Sequence, residues 1–409
     1  MKRNAAQGIL VWTLCGMVAL WATGCGHASL TGGGGNPPPS SSNVLAISVN
    51  TGPTAATSPY INGAFTSVTV CVPGSTTQCQ TIDGILVDTG SPGLRILSSA
   101  LTVALPQQTD SSSNPIVECA PFASGVIWGP VQTADMTVAG EKASSMPIQV
   151  IGSNSFPNIP AACSNQGTPV EDLQSLGANG ILGIGSYPQD CGAACVTSGG
   201  GNPGLYYTCP TTGCVATTEA LASQVTNPVV LFAKDNNGTI IELPALTGSA
   251  VSLDGSLIFG IGTETNNGLG GATIYTMDPA TGNFSTTFNG QTYTNAAFID
   301  SGSNATYFLD STTTGMTTCT DYTFWYCPGG TLNFSATNMG ANGNSSIINF
   351  SVGNADSLVA NPADGAANGL AGPFPNTFDW GLPFFFGRNV YTAIEGQSTP
   401  QGTGPYWAY

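Results

Sequence analysis

Histidine is almost missing from this chain. The one present, His27, lies near the N-terminus, and nothing after it carries an imidazole. That excludes Ser-His-Asp and Cys-His catalysis, histidine-ligated zinc and imidazole acid–base chemistry in the folded part. Charge is scarce as well. Asp, Glu, Lys and Arg make up 7% of the 409 residues, the net charge is −16, and only six residues are Lys or Arg. Lys2 and Arg3 open the chain, which leaves Arg95, Lys142, Lys234 and Arg388 for everything after it. Such a protein cannot neutralise a phosphate backbone, so nucleic-acid binding is excluded. Ser-Lys catalysis has little to draw on, and any proton chemistry falls to carboxylates. Long stretches with a 3.6-residue apolar period are also missing, so helices are expected to be few and short.

Glycine, by contrast, is abundant, at 54 residues. Short runs rich in Val, Ile, Thr and Phe lie between Gly, Asn, Ser and Pro turns, the pattern of an all-β protein. The 41% of apolar residues supports a large core, and the length admits two domains.

The first 25 residues, MKRNAAQGILVWTLCGMVALWATGC, have a basic start, an apolar stretch and small residues before a Cys. The segment resembles a bacterial lipoprotein signal in which Cys25 becomes the lipidated first residue, although Ala22 stands where Leu is usual. The apolar run is short and interrupted for a membrane-spanning anchor. Residues 26–43, with TGGGGNPPPSSSN at their end, form a Gly/Pro/Ser tether. The resemblance implies an exported outer-membrane lipoprotein facing the periplasm or cell surface, in contact with the membrane through its N-terminal lipid only.

Ten cysteines remain after the signal: Cys71, Cys79, Cys119, Cys163, Cys191, Cys195, Cys209, Cys214, Cys319 and Cys327. An even number in an exported chain reads as disulfides. Cys71 with Cys79 and Cys319 with Cys327 can each close a hairpin, and Cys119 is expected to meet Cys163. Pairing among the other four stays open. No Cys-x-x-Cys is present, and neither a metal nor a cofactor is expected.

One stretch occurs twice. ILVDTGSPGLRIL carries Asp88-Thr89-Gly90-Ser91, and AAFIDSGSNATYFL carries Asp300-Ser301-Gly302-Ser303. Each follows an apolar run, although burying an unpaired carboxylate costs several kcal/mol. Each also has a downstream echo: NGILGIG, centred on Gly183, and GLPFFFGRN, with Gly387. The pattern is an internal duplication, expected to give an N-terminal lobe over residues 44–225 and a C-terminal lobe over 226–409.

With both loops in view, residues 44–400 resemble a pepsin-type aspartic peptidase, and also uncharacterised bacterial families of pepsin-like lipoproteins. The resemblance implies a bilobal double β-barrel with a cleft between lobes, and a monomer acting on a peptide or protein substrate. It implies catalysis by Asp88 and Asp300, supported by Thr89, Gly90, Ser91, Ser301, Gly302 and Ser303. Two carboxylates brought together share a proton. One can then activate a water while the other protonates the substrate carbonyl.

A hairpin over Phe122–Gly140 resembles the family's flap, so Arg95, Phe122, Gly125 and Trp128 are expected at the flap and substrate cleft, with Phe384 and Phe385 as further wall candidates. Phe122 stands where the family has Tyr and Arg95 where it has Trp, and Arg95 stacked on Phe122 or Trp128 is one arrangement. Asn179 replaces the usual Asp, and Gly387-Arg388-Asn389 replaces the usual Gly-Asp. No basic pro-segment is visible between Cys25 and Val44. Together these point to an aspartic endopeptidase, with a non-catalytic binding or structural lipoprotein as the alternative and a carboxylate glycosidase as a third reading.

Overall fold

The computed structural model describes residues 43–199 and 202–409; the signal, Cys25 and the tether up to Ser42 lie outside them. Strands dominate, as the residue pattern requires. In Glu141–Ile151 the first residues alternate, with Glu141 and Ala143 buried and Lys142 and Ser144 exposed. The strand then enters the core, where Met146 through Ile151 are all buried. The α-helices are single turns: Ala161–Ser164, Leu173–Leu176, Ser311–Thr314 and Ala355–Leu358. Asp172 caps the second by accepting the Ser175 N–H at 2.8 Å, and Gly177 ends it with φ of +70°.

Two barrel-like sheets carry the two halves. The larger has fifteen strands, and Val44–Asn50 is its bridge. That strand pairs antiparallel with Gly63–Cys71 of the first half and with Leu253–Phe259 of the second. The sheet then continues through Gly238–Leu243, Arg388–Ala393 and Tyr406–Ala408. The other sheet has seven strands, all drawn from residues 284–380. This is the expected bilobal, mostly β architecture with few short helices.

The duplication is visible in the register. Cys79–Asp88 runs parallel to Gly180–Ile184, placing Asp88 opposite Gly183, while Pro92–Leu97 lies antiparallel on the other side. In the second half Gln291–Ile299 runs parallel to Phe374–Trp380, placing Ile299 opposite Trp380, and Thr306–Leu309 is antiparallel. The partner glycine of Asp300 is therefore Gly381, not Gly387. A Cβ on Gly183 would fall 2.7 Å from Ser91 O and 2.8 Å from Gly93 O. One on Gly381 would fall 2.7 Å from Ser303 O and 2.0 Å from Ala305 O, the same pair of positions in the second loop. Gly387 instead follows the short 3₁₀ turn Leu382–Phe385 and donates its N–H to Leu243 O at 3.0 Å.

Aromatic residues concentrate in the second half. Phe308 packs against Phe288, Phe334, Phe350 and Phe378 with ring centroids 5.3–6.2 Å apart. All ten cysteines pair, as Cys71–Cys79, Cys119–Cys163, Cys191–Cys195, Cys209–Cys214 and Cys319–Cys327. The first, second and fifth are the expected pairs; the other two resolve the crowded stretch into neighbours.

Candidate active site

Each repeated loop leaves the end of a buried strand, and the two loops interlock. The Thr89 N–H donates to Ser301 Oγ at 3.0 Å, and the Ser301 N–H donates to Thr89 Oγ1 at 2.9 Å. Each hydroxyl then donates onward to a carbonyl of the opposite strand, Ser301 to Val87 O at 2.8 Å and Thr89 to Ile299 O at 3.3 Å. Four hydrogen bonds with near two-fold symmetry thus fix one half on the other at the base of the site.

The carboxyls are held in matching ways. Gly90 N–H donates to Asp88 Oδ1 and Gly302 N–H to Asp300 Oδ1, both at 2.7 Å. On the outer oxygens, Ser91 Oγ bonds Asp88 Oδ2, and Ser303 Oγ lies 2.9 Å from Asp300 Oδ2. Glycine is required at 90 and 302 by close approach. A Cβ at 90 would sit 2.5 Å from Asp300 Cγ, and one at 302 would sit 2.7 Å from Asp88 Oδ1. The two carboxyls face one another: a Cβ on Gly302 would lie 2.7 Å from Asp88 Oδ1 and 3.1 Å from Asp300 Oδ1.

Asp88 and Asp300 are 3% and 0% exposed. Burial, then the charge and hydrogen bond of Asp300, hold the Asp88 carboxyl well above the usual carboxylate range; Ser91 and the Gly90 N–H pull it the other way. Two acids this close cannot both ionise cheaply, which is why the Asp300 charge adds to the upward push on Asp88. Beside them opens a cavity of about 270 Å³ lined by Thr89, Gly90, Tyr187, Met277, Phe298 and Phe374, among others.

A third carboxyl adjoins the pair. Asp379, fully buried on Phe374–Trp380, places Oδ2 2.6 Å from Ser303 Oγ, while its Oδ1 has no partner. A serine hydroxyl has one hydrogen, so it cannot donate to both acids. Burial, followed by the Asp300 and Asp88 charges, pushes the Asp379 carboxyl well above its usual range. The Ser303 hydroxyl hydrogen therefore serves one acid at a time, and the other bond is complete only when the second acid is protonated and donates to Ser303.

Tyr60 is close enough to feel both charges. Its hydroxyl is buried without a partner, and burial, then Asp300 and Asp88, push its pKa far up. Next to it, Asn62 crosses between halves, donating to Asn304 O and Ala367 O at 2.8 Å. Sequence reasoning missed all three residues. Asp379 had a legible signal, since FDWG is another acid inside an apolar run, like ILVDTG.

The expected flap residues sit elsewhere. The hairpin formed by Ile116–Phe122 and Gly125–Val138 is clamped to residues 156–170 of its own half. Cys119 is bonded to Cys163, Val126 N–H donates to Thr168 O at 2.9 Å, and the Trp128 Nε1–H donates to Phe156 O at 2.9 Å. Trp128 is only 1% exposed, packed edge-on to Tyr207.

Arg95 is buried too. Its guanidinium lies 5.5 Å from the Phe122 ring centroid, donates to Glu118 at 2.7 Å and Asp190 at 3.2 Å, and reaches Gln149 through Nε at 3.0 Å. Burial weakens its hold on the proton, and Glu118 and Asp190 more than reverse that. Burial and Glu118 in turn push the Asp190 carboxyl well up. Arg95, Phe122, Gly125 and Trp128 do not line the cavity at Thr89 and Gly90. Phe385 is wholly buried, and Phe384 faces a different cavity.

Residues 39–409 match the family described as "Protein of unknown function (DUF3443)". The chain belongs to that family. Among solved structures, this DUF3443 member is similar to the aspartic proteinase from Irpex lacteus, with a TM-score of 0.51 and 14% identity, over 89% of this chain and 96% of that one. Identity that low speaks for the fold, which is pepsin-like. No curated protein matches the chain. Among the described residues no helix is long and apolar enough to cross a membrane.

Proposed function

We propose that this DUF3443 protein is an aspartic-type endopeptidase whose catalytic residues are Asp88 and Asp300, working on extended, apolar peptide segments without metal or cofactor. The observation that carries this is the pair of facing carboxyls presented by two interlocked, symmetry-related loops. With one proton between them, the ionised carboxylate takes a proton from water as the water oxygen attacks the scissile carbonyl carbon. The protonated partner gives its proton to the carbonyl oxygen. The tetrahedral intermediate then collapses: the C–N bond breaks, the amine leaves with a proton from one carboxyl, and a hydroxyl of the intermediate returns its proton to the other, so the pair regains its single shared proton.

A second reading has its own observation. Both carboxyls are almost fully covered, as expected of a pepsin-fold lipoprotein that binds a partner without cutting it. A peptide-library digest from pH 3 to 7, with and without pepstatin, separates the two. Pepstatin-sensitive cleavage supports the peptidase; a protein that cleaves no peptide at any pH supports the binder. In either case Cys25 would carry the lipid tether, with the folded part, a monomer, outside the cytoplasm. The five disulfides support an oxidising, exported setting.

A further inference from the structure

The second half holds a larger cavity, about 510 Å³, that shares no lining residue with the one beside Thr89 and Gly90. The rings of Phe334, Phe350, Trp380 and Phe384 form one part of its wall, Asn333, Ser335, Asn349 and Ser351 another, and Arg388 is among the lining residues. The described residues contain four cationic side chains. Arg95 pairs with Glu118 and Asp190, Lys142 with Asp135, and Lys234 with Glu264. Arg388 alone has no carboxylate partner, in a chain whose net charge is −16.

Its position is fixed without one. Nη1 donates to Phe384 O at 2.6 Å, and the guanidinium lies 4.6 Å from the Phe384 ring centroid. The side chain is half-buried; burial lowers its pKa, and the Tyr409 phenol nearby works the other way. Two polar side chains of the wall are already engaged. Ser335 Oγ donates to Asn349 Oδ1 at 2.6 Å, and Asn368 donates to Leu246 O at 2.8 Å. A second donor lacks an acceptor, the indole N–H of Trp380, a residue 1% exposed. What the cavity offers is therefore a cation with no carboxylate partner beside a ring-sized space walled by aromatic rings on one part and polar side chains on another.

We propose that this cavity is a binding site for an organic acid, with a carboxylate paired to Arg388 and an apolar or aromatic body against Phe334, Phe350 and Phe384. Arginine suits the carboxylate because its remaining N–H groups form a planar fork. The volume suits one ring with a short chain. The same chemistry is offered by a free aryl acid or by the C-terminal carboxylate of a peptide ending in an aromatic residue. The site stands independently of the dyad.

The test is calorimetric titration of the full-length protein with three probes: 3-phenylpropionate, its amide, and N-acetylphenylalanine. The acid is expected to bind at least tenfold more tightly than the amide. Arg388→Gln should abolish that preference, Arg388→Lys should retain it in part, and Asp88→Asn should leave it unchanged. N-acetylphenylalanine binding as tightly as phenylpropionate upholds the site and identifies a peptide C-terminus; binding of phenylpropionate alone upholds it and identifies a free acid. Equal binding of acid and amide by the wild-type protein, or binding by neither, overturns the proposal without reliance on any variant. So does an acid preference that survives in Arg388→Gln.

Discussion

Asp379 lies one hydroxyl away from Asp300. The Ser303 oxygen is 2.6 Å from one carboxyl and 2.9 Å from the other. The third acid thus reaches the dyad through a single rotor, and its protonation state decides which way that rotor points.

This coupling fixes a pH dependence. The folded-state pKa of Asp379 is raised, so folding favours its protonated form. Its contribution to stability is full below the ordinary carboxyl pKa of about 4 and is lost as pH rises through the raised folded value. Asn at 379 carries no titrating proton. The Asp379→Asn protein should therefore lose less stability than wild type between pH 4 and 7, with a difference approaching about 1.4 kcal/mol per pH unit across the titration window. Thermal unfolding at several pH values measures it; parallel curves for the two proteins would show that Asp379 does not titrate there.

The Arg95 network should behave as an all-or-none unit. Removing the guanidinium leaves Glu118 and Asp190 buried without a cation, and breaking such a pair costs about 3–5 kcal/mol. Urea unfolding of Arg95→Met should show a loss of that order. A loss below about 0.5 kcal/mol, the size expected of an exposed pair, would contradict the burial of this group.

Disulfide pairing gives a chemical check on the local geometry. Denatured, unreduced mature protein should show no titratable thiol among the ten cysteines, and peptide mapping should recover Cys191–Cys195 and Cys209–Cys214. Cross-pairing between those two would mean that residues 191–214 fold differently.

Tethering is tested by fractionation. Cys25→Ser should move the protein from the membrane to the soluble fraction. Continued membrane association would mean that the apolar segment before Cys25 is itself the anchor.

The fold and the meeting of the two Asp loops were legible because they rest on local signals that occur twice. An acid in an apolar strand end, followed by a hydroxyl and a glycine, points to the same loop in each half. Cys71–Cys79 and Cys319–Cys327 were legible as hairpin closures, whereas Cys191, Cys195, Cys209 and Cys214 crowd one stretch and their pairing was not. What escaped depends on contacts distant in sequence. Arg95 meets its carboxylates across 23 and 95 residues, so the sequence showed its unusual position and proximity to Phe122 but not the acids. The partner of Asp300 was misplaced by six residues because Asp379 interrupts the apolar pair before Gly381, while the more regular PFFFG run ends at Gly387. Trp128 read as a cleft wall, yet the Cys119–Cys163 bond and its own N–H draw it into the first half. Tyr60 stands in a loop with no pattern to mark it.

The central claim is that Asp88 and Asp300 share a proton and use it to cut peptide bonds. The most direct measurement is the rate of hydrolysis of an apolar peptide against pH by wild type, Asp88→Asn and Asp300→Asn, each checked for a native unfolding transition. Wild type should give a bell-shaped profile on the acidic side, set by the two apparent pKa values of the pair. Each variant should fold and lose activity by at least about 10³-fold, the scale of losing a general acid or base. Cleavage that persists in both folded variants would contradict the claim.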